Sequence, residues 1–167
     1  MFVGNFMEFT EIDFKNALEF ASLKHSGQYR KGGQPYITHP IAVAEILKEQ
    51  GFGVDYQIAG LFHDLLEDTD ATDAELEALS NAEVIKAVKL LTKTPGYIMA
   101  EYIQGIKENK MAFAVKAADR LHNLRSSFEA DGNFRRKYIA ETKEWYMDFS
   151  PEIPKALEAV IKSLKEQ

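Results

Sequence analysis

Apolar residues recur at three- and four-residue spacing along almost the whole chain. Between residues 11 and 25, Phe14, Ala17, Leu18, Ala21 and His25 fall on one side, the period of an amphipathic helix. The stretch SGQYRKGGQPY (26–36) breaks that period with glycine and proline and is expected to be a loop. A helix resumes over 38–50, with Thr38 suited to cap it, Pro40 to its first turn and Gly51 to its end. Residues 55–66 (DYQIAGLFHDLL) form an apolar helix with Asp55 as its cap. EDTDATDAELEAL then reads as a polar loop leading into a short helix capped by Thr72 or Asp73. Further helices are expected at 81–91, ended by TKTPG, at 98–108 and at 110–127, the last apolar in its first half. Gly132 marks a turn, and two helices, 134–147 and 151–165, are parted by Ser150 and Pro151. No stretch alternates with the period of a strand, and neither a repeat nor a low-complexity linker interrupts the pattern. The expectation is an all-α helical bundle forming one domain over residues 1–167.

Composition narrows the function classes. With 167 residues, 46% hydrophobic and 28% charged, the chain is long enough to bury a core. Its net charge of −6 argues against nucleic acid as a partner, since neutralising phosphates requires basic clusters. A small anionic substrate feels only the local field of a cleft and remains open. The absence of cysteine excludes disulfides and thiolate metal sites. No apolar run approaches the roughly 20 residues that span a bilayer, and the opening MFVGNFMEFTEIDF lacks the form of a signal peptide. A cytoplasmic protein without a membrane partner is expected.

The chemistry concentrates around HDLLEDTD (63–70), read with His39 upstream and Asp119 downstream. His63 and Asp64 offer an imidazole beside a carboxylate inside an apolar helix, where an ionisable pair is costly to bury unless something compensates it. A divalent transition metal would do so, since nitrogen donors favour manganese, iron or zinc over magnesium. His39, His63, Asp64 and Asp119 are therefore the candidate ligands, although a histidine taken alone is more often a packing residue. Glu67 and Asp68 follow one helical turn on and are candidates for proton transfer; they also fit an acidic helix end, at odds with the helix dipole. Asp119 shares a face with Lys116 and Asn123, so a plain intrahelical Lys116–Asp119 ion pair is the competing explanation there. Arg30 and Lys31 lie in the glycine-rich loop, where they suit a base and phosphates or are simply solvated charges. His25 and His122 read as structural, His25 as a helix-end residue bonding the next loop and His122 as lying off the Asp119–Asn123 face.

Taken in order, RKGGQPYITHPIAVA, AGLFHDLLEDTDAT and VKAADRLHNLRS resemble the hydrolase domain of the RelA/SpoT family. They are similar above all to the stand-alone small alarmone hydrolases of the HD metal-dependent phosphohydrolase superfamily. The blocks cover roughly residues 18–127, with ETKEWY (141–146) a fainter continuation. The resemblance implies an all-helical HD fold holding one divalent metal, most often manganese, on His39, His63, Asp64 and Asp119. It implies that Glu67 and Asp68 are catalytic and that Arg30, Lys31, Lys93, Asn123 and Ser126 contact the nucleotide, with threonine common in the family where Ser126 stands. The implied reaction removes pyrophosphate from the 3′ position of guanosine 3′,5′-bis(diphosphate), or its 5′-triphosphate analogue, leaving GDP or GTP. Synthetase activity is not expected from a chain of this length. YMDFSPEIPKA departs from the continuation of the long enzymes. Two alternatives remain open: another HD-type nucleotide phosphohydrolase, and a sensor that binds the alarmone without cleaving it.

Overall fold

The computed structural model describes residues 8–166; residues 1–7, part of the stretch read for a leader, and residue 167 lie outside them. The architecture is all-α, as the periodicity predicts. The helices are α1 (Glu11–Lys24), α2 (Thr38–Glu49), α3 (Val54–Phe62), α4 (Leu65–Asp68), α5 (Asp73–Ala78), α6 (Ala82–Leu91), α7 (Met99–Lys107), α8 (Lys110–Ser126), α9 (Gly132–Trp145) and α10 (Glu152–Lys165). A 3₁₀ turn, Ser127–Glu129, joins α8 to α9. Among the described residues no helix is long and apolar enough to cross a membrane.

Helix α8 runs through the middle, packed against α2, α3, α6, α7 and α10. Its alanines at 112, 114, 117 and 118 are buried, so neighbouring backbones can approach closely, and Asp119 and Arg120 are buried in the same helix. Two charged groups inside a core helix are tolerated only where partners meet them. Arg120 is sandwiched between the Tyr138 and Tyr146 rings, 4.0 Å from each centroid, and donates to Glu141 of α9 at 2.5 Å. This arrangement ties α9 to the central helix.

Several helix ends differ from the sequence expectation, each for a local reason. Helix α3 starts at Val54 with Gly53 at its cap, because the Asp55 carboxylate accepts the adjacent Tyr56 amide (2.9 Å) instead of closing the end. The expected continuous helix 55–66 is broken at His63 and Asp64. His63 Nδ1 donates to the Gly60 carbonyl at 2.6 Å, taking the acceptor that an uninterrupted helix would offer the Asp64 amide, and the chain restarts as α4. Thr38 lies inside α2, its hydroxyl donating to the Pro35 carbonyl. Gly132 opens α9 and is not a turn, because the Asp131 carboxylate caps the helix by accepting the Phe134 amide at 2.8 Å. Thr72 caps α5 in a reciprocal box with Glu75, and Gly51 follows α2 at φ +88° as expected.

Gly60 sits where α3 crosses α2: a Cβ there would stand 3.0 Å from Leu47 Cδ1, 3.2 Å from Val43 Cγ1 and 3.4 Å from the Ala44 amide nitrogen. Leu47 and Val43 are fully buried and have no room to yield. Gly60→Ala is therefore expected to destabilise the protein by about 1–2 kcal/mol, overpacking outweighing the better helix propensity of alanine. Urea unfolding with an unchanged m-value and a lower midpoint is the check.

Candidate metal centre and nucleotide pocket

Three helix segments bring their polar side chains to one point. His39 comes from the first turn of α2, His63 from the break after α3 and Asp119 from the middle of α8. One donor atom from each lies within 4.8 Å of the others, and all three residues are buried. Asp119 Oδ1 is 2.8 Å from His39 Nε2 and 3.2 Å from His63 Nε2. Asp64 flanks the group, with Oδ2 3.0 Å from His63 Nε2 and 4.0 Å from His39 Nε2.

The donor chemistry of this cluster fits a metal ion. A carbonyl only accepts, so His63 Nδ1 carries the hydrogen given to Gly60 and the neutral ring turns its Nε2 lone pair toward Asp64 and Asp119. A lone pair facing two carboxylates is stable only with a cation between them, either a proton or a metal. Donors about 2 Å from a single ion lie about 4 Å or less from one another, compatible with the observed separation. His39 Nδ1 lies 2.7 Å from His122 Nδ1, with the rings stacked. His122 therefore helps fix which nitrogen of His39 faces the cluster. Reading His122 as structural was an error of geometry: it follows Asp119 by three residues, close enough on a helix to share its side.

The two oxygens of Asp119 have separate partners. Oδ1 faces the histidines and accepts from Asn123 Nδ2 at 3.3 Å, while Oδ2 is 3.2 Å from the Lys116 ammonium. Burial alone would raise the Asp119 pKa, but Lys116 and the two imidazoles hold the carboxyl well below the usual range. The Lys116–Asp119 pair is thus a buried one belonging to the cluster. Burial depresses the basicity of His39. Without a metal, burial also opposes a charge on His63, yet Asp64 and Asp119 outweigh it and raise its pKa well above the ordinary imidazole value. Asp64 is drawn down to about 2, the His63 charge overcoming burial.

Glu67 and Asp68 sit beside the cluster on α4. Glu67 accepts the Lys93 amide at 2.7 Å, so the loop after α6 pins the carboxylate. Asp68 is pushed up to about 6 by partial burial first, then by the charges of Asp64 and Glu67. The glycine-rich loop is anchored from below: His25 Nδ1 is 2.8 Å from the Gln28 side-chain oxygen, and Gln28 donates to the Asp68 carbonyl at 2.8 Å. The His25 bond to the following loop matches the sequence reading. Tyr36 ends the same loop and donates its hydroxyl to Asp64 Oδ2 at 2.5 Å. The pattern that would have revealed Tyr36 is its place three residues before His39.

A cavity of about 230 Å³ opens beside the cluster, with Arg30, Lys31, Tyr36, Asn123 and Ser126 among its lining residues. Arg30 Nη2 donates to Asn123 Oδ1 (3.1 Å) and Ser126 Oγ (3.0 Å), so the loop and α8 are stitched together across the pocket. Lys31 lies 4.0 Å above the Phe134 ring. Lys93 is not in this lining; its ammonium rests near Tyr97 and Tyr102, on the Glu67 side. Phe134, Tyr138 and Glu129 line the pocket and were missed by sequence reasoning, since they look like an ordinary helix face and an ordinary surface acid.

A family model described as HD domain matches residues 17–150. The chain is 40% identical over 124 residues to a probable GTP pyrophosphokinase of Mycobacterium leprae (strain TN), covering 67% of this chain and 15% of that protein. It is 36% identical over 133 residues to the bifunctional (p)ppGpp synthase/hydrolase SpoT of Escherichia coli (strain K12), covering 73% and 19%. The chain thus spans less than a fifth of these curated relatives. A solved structure described as "A metazoan ortholog of SpoT hydrolyzes ppGpp and plays a role in starvation responses" superposes with a TM-score of 0.76 at 25% identity, covering 93% of this chain and 97% of that one.

Because Asp64 and Asp119 raise the His63 pKa well above the ordinary imidazole value in the metal-free cluster, loading a divalent ion is expected to release protons near neutral pH, about one per ion. Metal affinity should therefore rise as pH rises, until the His63 proton is already lost before binding. Calorimetric titration with manganese in two buffers of different ionisation enthalpy measures the released proton directly.

Proposed function

The chain belongs to the HD-domain family, and from that premise we propose that it is a metal-dependent hydrolase of guanosine 3′,5′-bis(diphosphate), releasing pyrophosphate from the 3′ position. The observation that carries this reading is the junction of a buried histidine–aspartate cluster with a cavity walled by Arg30, Asn123 and Ser126. The relatives whose names specify this 3′-pyrophosphohydrolase activity support it. In this reading His39, His63, Asp64 and Asp119 hold the metal, which in the cell we propose to be manganese. When bound, such an ion acidifies water and neutralises charge on a phosphoryl oxygen.

The chain's own residues supply the rest. Arg30 presents a planar cation, held flat by Asn123 and Ser126, against which a purine stacks. Lys31 and Lys93 offset phosphate charge from the two sides of the cluster. Glu67, immobilised by the Lys93 amide, orients the attacking water. Asp68, with its pKa near neutrality, is suited to exchange a proton with water or with the leaving 3′-oxygen. Tyr36 positions Asp64 through its hydroxyl. Lys116 holds Asp119 so that a single oxygen faces the histidines. The acidic pair favours turnover over the binding-only sensor, which has no need of a proton-transfer group. We propose a cytoplasmic enzyme.

The test is pyrophosphate release from guanosine 3′,5′-bis(diphosphate) by the manganese-loaded protein. Asp64→Ala is expected to reduce the rate by more than about 100-fold; retained turnover in that variant would remove the metal assignment.

Asp68→Asn is expected to abolish turnover yet stabilise the metal-free fold. An acid whose folded pKa of about 6 exceeds its ordinary value of 3.8 is destabilising once it must ionise in the fold. The gain in Tm should be full above pH 7, fade between pH 6 and 4, and vanish below the unfolded pKa. Melting curves across that range would read it.

A further inference from the structure

Within the cavity one lining group has the wrong sign for a phosphate ligand. Glu129 ends the 3₁₀ turn between α8 and α9 and contributes to the same pocket as Arg30 and Lys31. Among the described residues no hydrogen bond or ion pair engages its carboxylate. A free carboxylate in a pocket for a polyphosphate repels the ligand unless it meets hydrogen-bond donors that the phosphates do not provide.

The backbone makes room for that carboxylate. A Cβ on Gly32 would stand 2.5 Å from Glu129 Oε2 and 3.0 Å from its Cδ, so a larger residue at position 32 would push the carboxylate aside. Beside it is one surface suited to a flat ring, the Arg30 guanidinium fixed by Asn123 and Ser126; the Phe134 ring is already engaged by Tyr138 and Lys31. The pocket thus combines one flat cationic face with an exposed carboxylate at its rim that no protein donor among the described residues engages. Guanine presents adjacent N1–H and N2–H donors that match the two oxygens of a carboxylate. Adenine presents an acceptor at N1, and hypoxanthine retains N1–H but lacks the second donor.

We propose that Glu129 selects the base, its carboxylate accepting from the N1–H and N2–H edge of guanine and rejecting adenine. The proposal rests on the nucleotide reading of this pocket and adds its specificity determinant. A site built to pair polar groups discriminates strongly against analogues that leave them unpaired.

Calorimetric binding of GDP, IDP and ADP to the manganese-loaded full chain tests it without turnover. The wild-type protein is expected to bind GDP more tightly than ADP by about 10- to 100-fold, with IDP between them. Glu129→Gln should erase most of that ratio, because a glutamine amide offers adenine a donor and an acceptor in place of two acceptors. Glu129→Ala removes both acceptors and should move the ratio the same way; it decides the matter if Glu129→Gln fails to fold. A wild-type preference below about twofold, or a ratio within about twofold of wild type in the folded variant, overturns the assignment. Failure of the wild-type protein to release pyrophosphate from guanosine 3′,5′-bis(diphosphate) would instead sink the hydrolase reading alone, since the binding ratio is read independently.

Discussion

The buried carboxylate of Asp119 is the constraint around which the molecule is arranged. It lies on the central helix and meets a lysine from its own helix, an imidazole from α2 and another from the end of α3. A single buried carboxylate costs several kcal/mol unless each lone pair is engaged. Apolar packing brings α2, α3 and α8 together, and that cost is met only because their polar residues arrive in register. The same carboxylate then serves as one edge of the candidate metal centre. Stability and function are thereby joined: the ionic groups destabilise the core unless the cluster is complete, and completing the cluster creates the cation site.

The second organising element is the loop between α1 and α2. Its glycines allow a tight return, with Gly33 at φ +88°, and its polar residues reach to both sides of the site. Gln28 holds the Asp68 carbonyl, Tyr36 holds Asp64, and Arg30 spans to Asn123 and Ser126. One loop thus fixes the acids beside the metal cluster and also a wall of the nucleotide pocket. A net charge of −6 is no obstacle to an anionic ligand, because the pocket draws its cations from this loop.

Much of this was legible in the residues. Periodicity located the helices to within a few residues, and Thr72 and Gly51 behaved as caps do. His63, Asp64 and Asp119 stood out because ionisable groups inside apolar helices demand partners, whereas His39 was singled out as a lone upstream histidine and matched through the resemblance. The failures were local and instructive. Asp55 was misread as a cap because a neighbouring amide competed for its side chain. The break at His63 was invisible to a periodic pattern, since it depends on an imidazole capturing a backbone carbonyl. His122 was misjudged despite a spacing that already placed it beside Asp119.

The sequence by itself determined the all-α class, the order of the helices and the residue types able to bind a cation, because these follow from local periodicity and from the cost of burying charge. Only the tertiary structure decided that Asp119 divides its oxygens between Lys116 and two histidines and that His122 orients His39. It also decided that Lys93 touches Glu67 through its backbone while standing outside the cavity. Nothing in local sequence encodes which side of a distant helix meets which loop. That choice emerges when the apolar faces pack together, and the polar groups carried on them are then left with only a few partners within reach.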